Sequence, residues 1–140
     1  MYEKALDNLE MDERIEGTYK GSFNFKGDEV RIHVDPDGEK LEDTITLAKR
    51  ILSSLDAYDK KARGYIIENS LQSYNEDWRE DDEPILTAME FDKNLRLDGV
   101  NFLSSDSVDF FYSENNMFGG HSLIPQIFDS ENFEYLQMYG

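Results

Sequence analysis

The residues of this chain that could do chemistry are few, and their spacing excludes more than it suggests. Asp35, Asp37 and Glu39 alternate as the early ligands of a calcium loop do. Counting about twelve positions from Asp35, however, puts Lys40 where that loop needs its glycine and Thr46 where it needs a bidentate glutamate. A turn that starts the next helix is the expectation instead. The two histidines, His33 and His121, stand far apart with no second histidine or cysteine nearby. His33 falls on the polar side of an alternating segment, so solvent is its expected surrounding. His121 lies in Asn115-Asn116-Met117-Phe118-Gly119-Gly120-His121-Ser122, the most unusual local string in the sequence. Gly119, Gly120, His121 and Ser122 admit two readings. In one, the glycines form a turn that offers backbone amides to an anion beside an imidazole, as a ligand site or hydrolase would require. In the other they form a tight connection between strands, with His121 bonded to the backbone.

Other chemistries find no support. Gly120-His121-Ser122 lacks the second glycine of a nucleophile elbow, and neither a dinucleotide fingerprint nor a phosphate-binding loop occurs. With 31 Asp and Glu, accidental carboxylate pairs are certain, so a glycosidase-type pair carries no information. Cysteine is absent, which rules out disulfides, thiolate nucleophiles and zinc–thiolate sites. We therefore assign no catalytic residue, no metal site and no cofactor.

The acids are concentrated as well as numerous. Six of the eight residues from Glu76 to Glu83 are acidic (Glu76, Asp77, Glu80, Asp81, Asp82 and Glu83), interrupted by Trp78 and Arg79. Like charges this close repel, unless a cation or a basic partner lies near. Trp78 is the only tryptophan, a residue type favoured as a binding anchor. Alternatively it plugs the open end of the core while the acids stay solvated. The formal net charge of −17 argues against nucleic acid and anionic lipid as partners, and favours a basic protein. Acidity also serves plain solubility.

The elements that must position these residues follow from periodicity. Residues 1–16 suggest a short helix or arm. Tyr19, Gly21, Phe23 and Phe25 alternate with polar residues, as do Val30, Ile32 and Val34, which predicts a hairpin turning at Gly27-Asp28. Leu41, Ile45, Ala48, Ile51, Leu52 and Leu55 recur at helical spacing over 40–55. A second helix is expected from Ala57 to Tyr74, with Asp56 as its N-cap, and then a polar loop to Pro84. Thr87-Ala88-Met89-Glu90 has capping-box spacing and opens a short helix to Asn94. Strands fill the remainder, with a bulge or tight turn at Gly99. Pro125 requires its strand to be an edge or to be bulged. The order β-β-α-α-(short α)-β-β-β-β predicts an α+β fold, mainly antiparallel, with helices packed on one face. A length of 140 residues fits one domain. The N-terminus lacks a basic region followed by an apolar run, so no secretory signal is expected. Nor is there a spanning apolar stretch. A cytoplasmic protein is the expectation.

Leu86-Thr87-Ala88-Met89-Glu90-Phe91, then Leu95 and Leu97, Phe110-Phe111-Tyr112, Phe118-Gly119-Gly120-His121-Ser122-Leu123-Ile124 and Gly140 together resemble the bacterial domain of unknown function 2262 family, or a close relative of it. Trp78, placed before the Leu-Thr-x-x-Glu-Phe segment, fits the same pattern. The resemblance covers roughly 17–140 in its order of elements. It implies no established activity and transfers no functional residue. Some small acidic domains of this general kind accompany bacterial toxins as immunity proteins, an association of class. Three readings follow: a non-enzymatic binding protein, with an immunity-type inhibitor of a basic toxin as its concrete form; a hydrolase or small-ligand domain on the Gly119–Ser122 turn; and an accessory or structural domain.

Overall fold

The computed structural model describes residues 1–140. The N-terminal arm forms a short helix, α1 (Tyr2–Asp7), and a two-residue strand, β1 (Glu10–Met11). The expected hairpin is β2 (Tyr19–Phe25) and β3 (Asp28–Asp35), in register from Tyr19↔Val34 to Phe25↔Asp28. Its turn falls one residue earlier than the sequence suggested. Lys26 (φ 52°) and Gly27 (φ 91°) occupy the two central positions, because a two-residue hairpin needs positive φ at both to match strand twist.

Two helices follow, α2 (Leu41–Ser53) and α3 (Leu55–Ser73). The break between them is Ser54 alone, so Asp56 does not cap α3. It lies inside the first turn, where its carboxylate faces the positive helix end and pairs with Lys26 and with Lys60 at 3.6 Å. These contacts hold its carboxyl below the usual range, the hydrogen bond from Lys26 being the largest cause. Nor does the chain enter a loop after Tyr74. It widens into a π-helical turn, Tyr74–Trp78, closed by the Arg79 amide donating to the Tyr74 carbonyl at 2.8 Å. The short helix α4 (Ala88–Asp92) has its full capping box: Glu90 N donates to Thr87 Oγ1 (3.2 Å), and Thr87 N donates to Glu90 Oε1 (2.9 Å).

Strands β4 (Arg96–Leu103), β5 (Ser107–Ser113), β6 (Ser122–Ile127) and β7 (Phe133–Tyr139) complete one seven-stranded sheet in the order β1-β2-β3-β4-β5-β6-β7. All neighbours are antiparallel except β3 and β4. The helices form the crossover that a parallel pair requires. The bulge expected at Gly99 is present, as a register shift between Leu97 and Gly99. Pro125 sits in β6, an inner strand, so the edge alternative does not hold. The register shifts beside it, between Gln126 and Ile127.

The helices share one sheet face. Val30, Ile32, Val34, Val100, Phe102, Val108, Phe110 and Tyr112 meet Ala48, Ile51, Ala62 and Ile66 in a single cluster of 26 buried residues. A polar network pins α3 to this face. The Tyr112 hydroxyl donates to Asp59 Oδ1 at 2.5 Å, Arg63 Nε donates to both Asp59 oxygens (3.1 and 3.2 Å), and Arg63 Nη1 reaches Asp92. The opposite face has no helix on it. His33 lies there, and it is not solvent-exposed as expected. Its side chain is half-buried, with Nε2 3.8 Å from the buried Asp12 carboxylate and Nδ1 without a partner. No helix is long and apolar enough to cross a membrane.

Candidate functional site

The two sequence candidates, distant along the chain, meet in space. The π-turn holds Tyr74 inward and swings Trp78 over Phe118, with ring centroids 5.3 Å apart at 70°. The same indole meets the His121 ring at 6.0 Å and 69°. Phe118 is fully buried and also contacts Tyr74 and Phe91 edge-on. An aromatic cluster thus ties the end of α3, α4 and the turn between β5 and β6 into one unit. Edge-to-face pairs of this kind contribute roughly 0.5–1.5 kcal/mol each beyond their buried area.

Trp78 is neither fully buried nor fully exposed. One edge closes the core over Phe118, yet 41% of the residue stays accessible. On the same segment, Ile85 (67%) and Met89 (72%) are exposed apolar side chains. Around them Glu76, Asp77, Glu80, Asp81, Asp82 and Glu83 are all exposed, and the salt bridges of the molecule include none of the six. Arg79, the cation set among them, is directed to backbone. Its guanidinium donates to the carbonyls of Asn75 (3.2 Å), Glu80 (3.2 Å) and Glu83 (2.6 Å). Asn75 closes the loop from below, exchanging two side-chain bonds with the Leu86 backbone at 2.9 and 3.0 Å. Burial beneath the loop, assisted by the nearby Glu83 carboxylate, raises the Tyr74 hydroxyl above its ordinary pKa. The result is a loop whose shape is set by backbone contacts and whose carboxylates form no ion pair, Glu76 alone accepting a hydrogen bond, from Gln72 Nε2 at 3.1 Å.

The Gly119–Ser122 turn is built differently. Asn115, Asn116, Gly119 and Gly120 all have positive φ, from 52° to 85°. A strand connection this tight favours Asn and Gly, which tolerate left-handed backbone at little steric cost. Sequence reasoning missed Glu114, which organises the turn. Its buried carboxylate accepts from Asn116 N (2.9 Å) and from Phe118 N. Two amides of the turn are therefore occupied by the chain's own anion. Only the Asn-Asn step immediately after an acid hinted at this in the sequence.

His121 is bonded to backbone, through Nδ1 and the Phe118 carbonyl. With the nitrogen donating, Nε2 is the nitrogen left for other partners. The ring lies between Trp78 and the backbone of Gly140, where an added Cβ would come within 2.4 Å of it. An open cavity of about 510 Å³ adjoins it, lined by Asn94, Asn115, Gly120, His121 and Ser122 among others. A serine relay needs an acid on one ring nitrogen and the hydroxyl on the other. Here one nitrogen is held by a carbonyl, and the only histidine–carboxylate pair in the molecule belongs to His33.

A family model described as an uncharacterised protein conserved in bacteria (DUF2262) matches residues 3–138, so the likeness extends through the N-terminal arm. Neither the curated proteins nor the solved structures contain a match to this chain.

Proposed function

We propose, for a chain that belongs to the DUF2262 family of bacterial proteins, that the loop from Glu76 to Glu83 is a docking surface for a basic protein. The protein is then a non-enzymatic acidic binding protein, and its concrete form is an immunity-type inhibitor of a basic bacterial toxin, acting in the cytoplasm. One observation carries this reading: six exposed carboxylates free of ion pairs surround a half-exposed tryptophan that is braced from behind by Phe118 and His121.

Exposed carboxylates without ion pairs, on a chain of net charge −17, draw a cationic partner in and speed the encounter. Trp78, Ile85 and Met89 supply apolar area that the charges alone would lack, and anchors of the tryptophan type carry much of the energy of protein interfaces. The clamps from Arg79 and Asn75 set the loop before binding, which lowers the entropy lost on association. Repulsion among the six acids also falls when cations enter, so docking relieves a cost present in the free protein.

The test is capture from the cognate lysate, with the immobilised protein washed at low salt and at about 0.5 M salt, where the Debye length is roughly 4 Å. The expected result is a basic protein retained at low salt and depleted at high salt. Recovery of no basic protein under either condition removes the proposal.

A further inference from the structure

The helix-free face of the sheet, together with the N-terminal arm that crosses it, forms a groove of about 700 Å³ that neither the acidic loop nor the glycine turn touches. Its floor is Gly99, at the β4 bulge. Strand register sets Arg31 of β3 on one side of Gly99 and Phe111 of β5 on the other. A Cβ at Gly99 would stand 3.3 Å from the Arg31 carbonyl oxygen, so backbone packing keeps this position free of a side chain. At the usual strand spacing, Arg31 and Phe111 flank a gap roughly 10 Å wide. That width admits one planar ring.

Charge identifies what the groove takes. Asp12 and Arg14 pair with each other at 3.4 Å. Glu29, Arg31, Glu10 and Lys20 also line the groove, and none of the four is in an ion pair. On a chain of net charge −17, a groove with equal numbers of both signs stands apart from the rest. A purely anionic ligand would be repelled by the surrounding field. A purely cationic one would find no use for Arg31. Glu29 and Arg31 are alternate residues of one strand, on the same face and roughly 7 Å apart along the backbone. This places a carboxylate and a guanidinium where the ammonium and carboxylate of a single small molecule can reach both.

We infer that this groove is a binding site for a small zwitterion with a planar side group, of the aromatic α-amino acid class. The ligand carboxylate lies on Arg31, its ammonium on Glu29, and its ring over Gly99 against Phe111. The site is independent of the docking loop, and either can fail without the other.

The test is titration of the ¹⁵N-labelled protein with three molecules that share one ring: L-phenylalanine, 3-phenylpropionate and phenethylamine. Saturating shifts at Arg31, Gly99 and Phe111 are expected with L-phenylalanine. Each singly charged probe, lacking one charge-assisted contact, is expected to bind roughly tenfold more weakly. Arg31→Ala and Glu29→Gln alter exposed side chains outside the core. Each is expected to leave the rest of the spectrum in place and to weaken L-phenylalanine by roughly tenfold. Three results would each overturn the inference: no saturating shifts with L-phenylalanine, equal affinity for a singly charged probe, or binding unchanged in both variants.

Discussion

Replacing Tyr112 with Phe removes one oxygen from the network that fixes α3 to the sheet, and its cost can be worked from the contacts. The hydroxyl is buried with its ring and donates to Asp59 Oδ1 at 2.5 Å. A hydrogen bond to a charged acceptor contributes roughly 1.5–3 kcal/mol. Arg63 still holds both Asp59 oxygens in the variant, so the carboxylate is not stranded. The expected loss is therefore in the lower half of that range, about 2 kcal/mol. For a chain of this size it corresponds to a fall in Tm of roughly 8 °C. Asp59→Ala removes the hub instead, leaving the buried Tyr112 hydroxyl without its partner and the Arg63 guanidinium with Asp92 alone. It is expected to cost about 3 kcal/mol, the low end for a broken buried pair, because Asp92 still neutralises the guanidinium.

Alkaline pH supplies a second readout for the same substitution. Burial, then the Asp59 charge, push the Tyr112 hydroxyl above its ordinary value of 10.0. The folded state keeps this proton where the unfolded state loses it, so the contribution is complete below pH 10 and declines as pH rises beyond it. Tyr112→Phe should flatten that decline, and Tyr74, raised in the same direction, contributes to the slope that remains. Urea denaturation at neutral and at alkaline pH measures both effects. A loss below about 0.5 kcal/mol for Tyr112→Phe, or a milder effect for Asp59→Ala than for Tyr112→Phe, would refute the reasoning.

Other substitutions probe separate parts of the molecule. Thr87→Ala breaks the capping box of α4 and should cost about 1 kcal/mol in urea denaturation, with Phe91 and the aromatic cluster left intact. Gly99→Ala forces a methyl group against the Arg31 carbonyl and should cost about 1–3 kcal/mol by the same measurement. Asp129 accepts from Asn132 N (2.7 Å), from Asn132 Nδ2 (3.0 Å) and from Glu131 N (2.9 Å), and these bonds hold its carboxyl at about 2, below its ordinary 3.8. Its contribution is present above pH 3.8 and is lost as pH falls toward 2. Asp129→Ala should accordingly lower Tm at neutral pH, and thermal scans should show the difference from the parent closing across that acid interval.

The alternating strands were readable because one face of each is apolar and the other polar, as in Val30, Ile32 and Val34 against Arg31 and His33. The helices were readable from spacing, and α4 from its Thr87–Glu90 box. What escaped depends on partners distant in sequence. Asp56 looks like a cap beside Ala57, but Lys26 from the hairpin draws it into an ion pair within the first turn. His33 looks exposed by parity, yet the segment after β1 folds across it and brings Asp12 near. The π-turn at Tyr74–Trp78 has no local signature. It answers the demand of Phe118 for an aromatic cover, which no window around Trp78 contains. Glu114 was one acid among many until its carboxylate was seen filling the amides of the turn.

The docking claim is local, and a comparison at constant net charge tests it most directly. One variant neutralises Glu76, Asp77, Glu80, Asp81, Asp82 and Glu83 to their amides. A second neutralises six other exposed acids, Asp7, Glu13, Glu16, Asp37, Glu39 and Glu42, and so changes the net charge equally. Capture from the cognate lysate at low salt is then quantified for both against the parent protein. The loop variant should lose the basic partner while the second variant retains it. Equal retention, or equal loss, in the two variants would contradict the assignment of docking to the loop around Trp78.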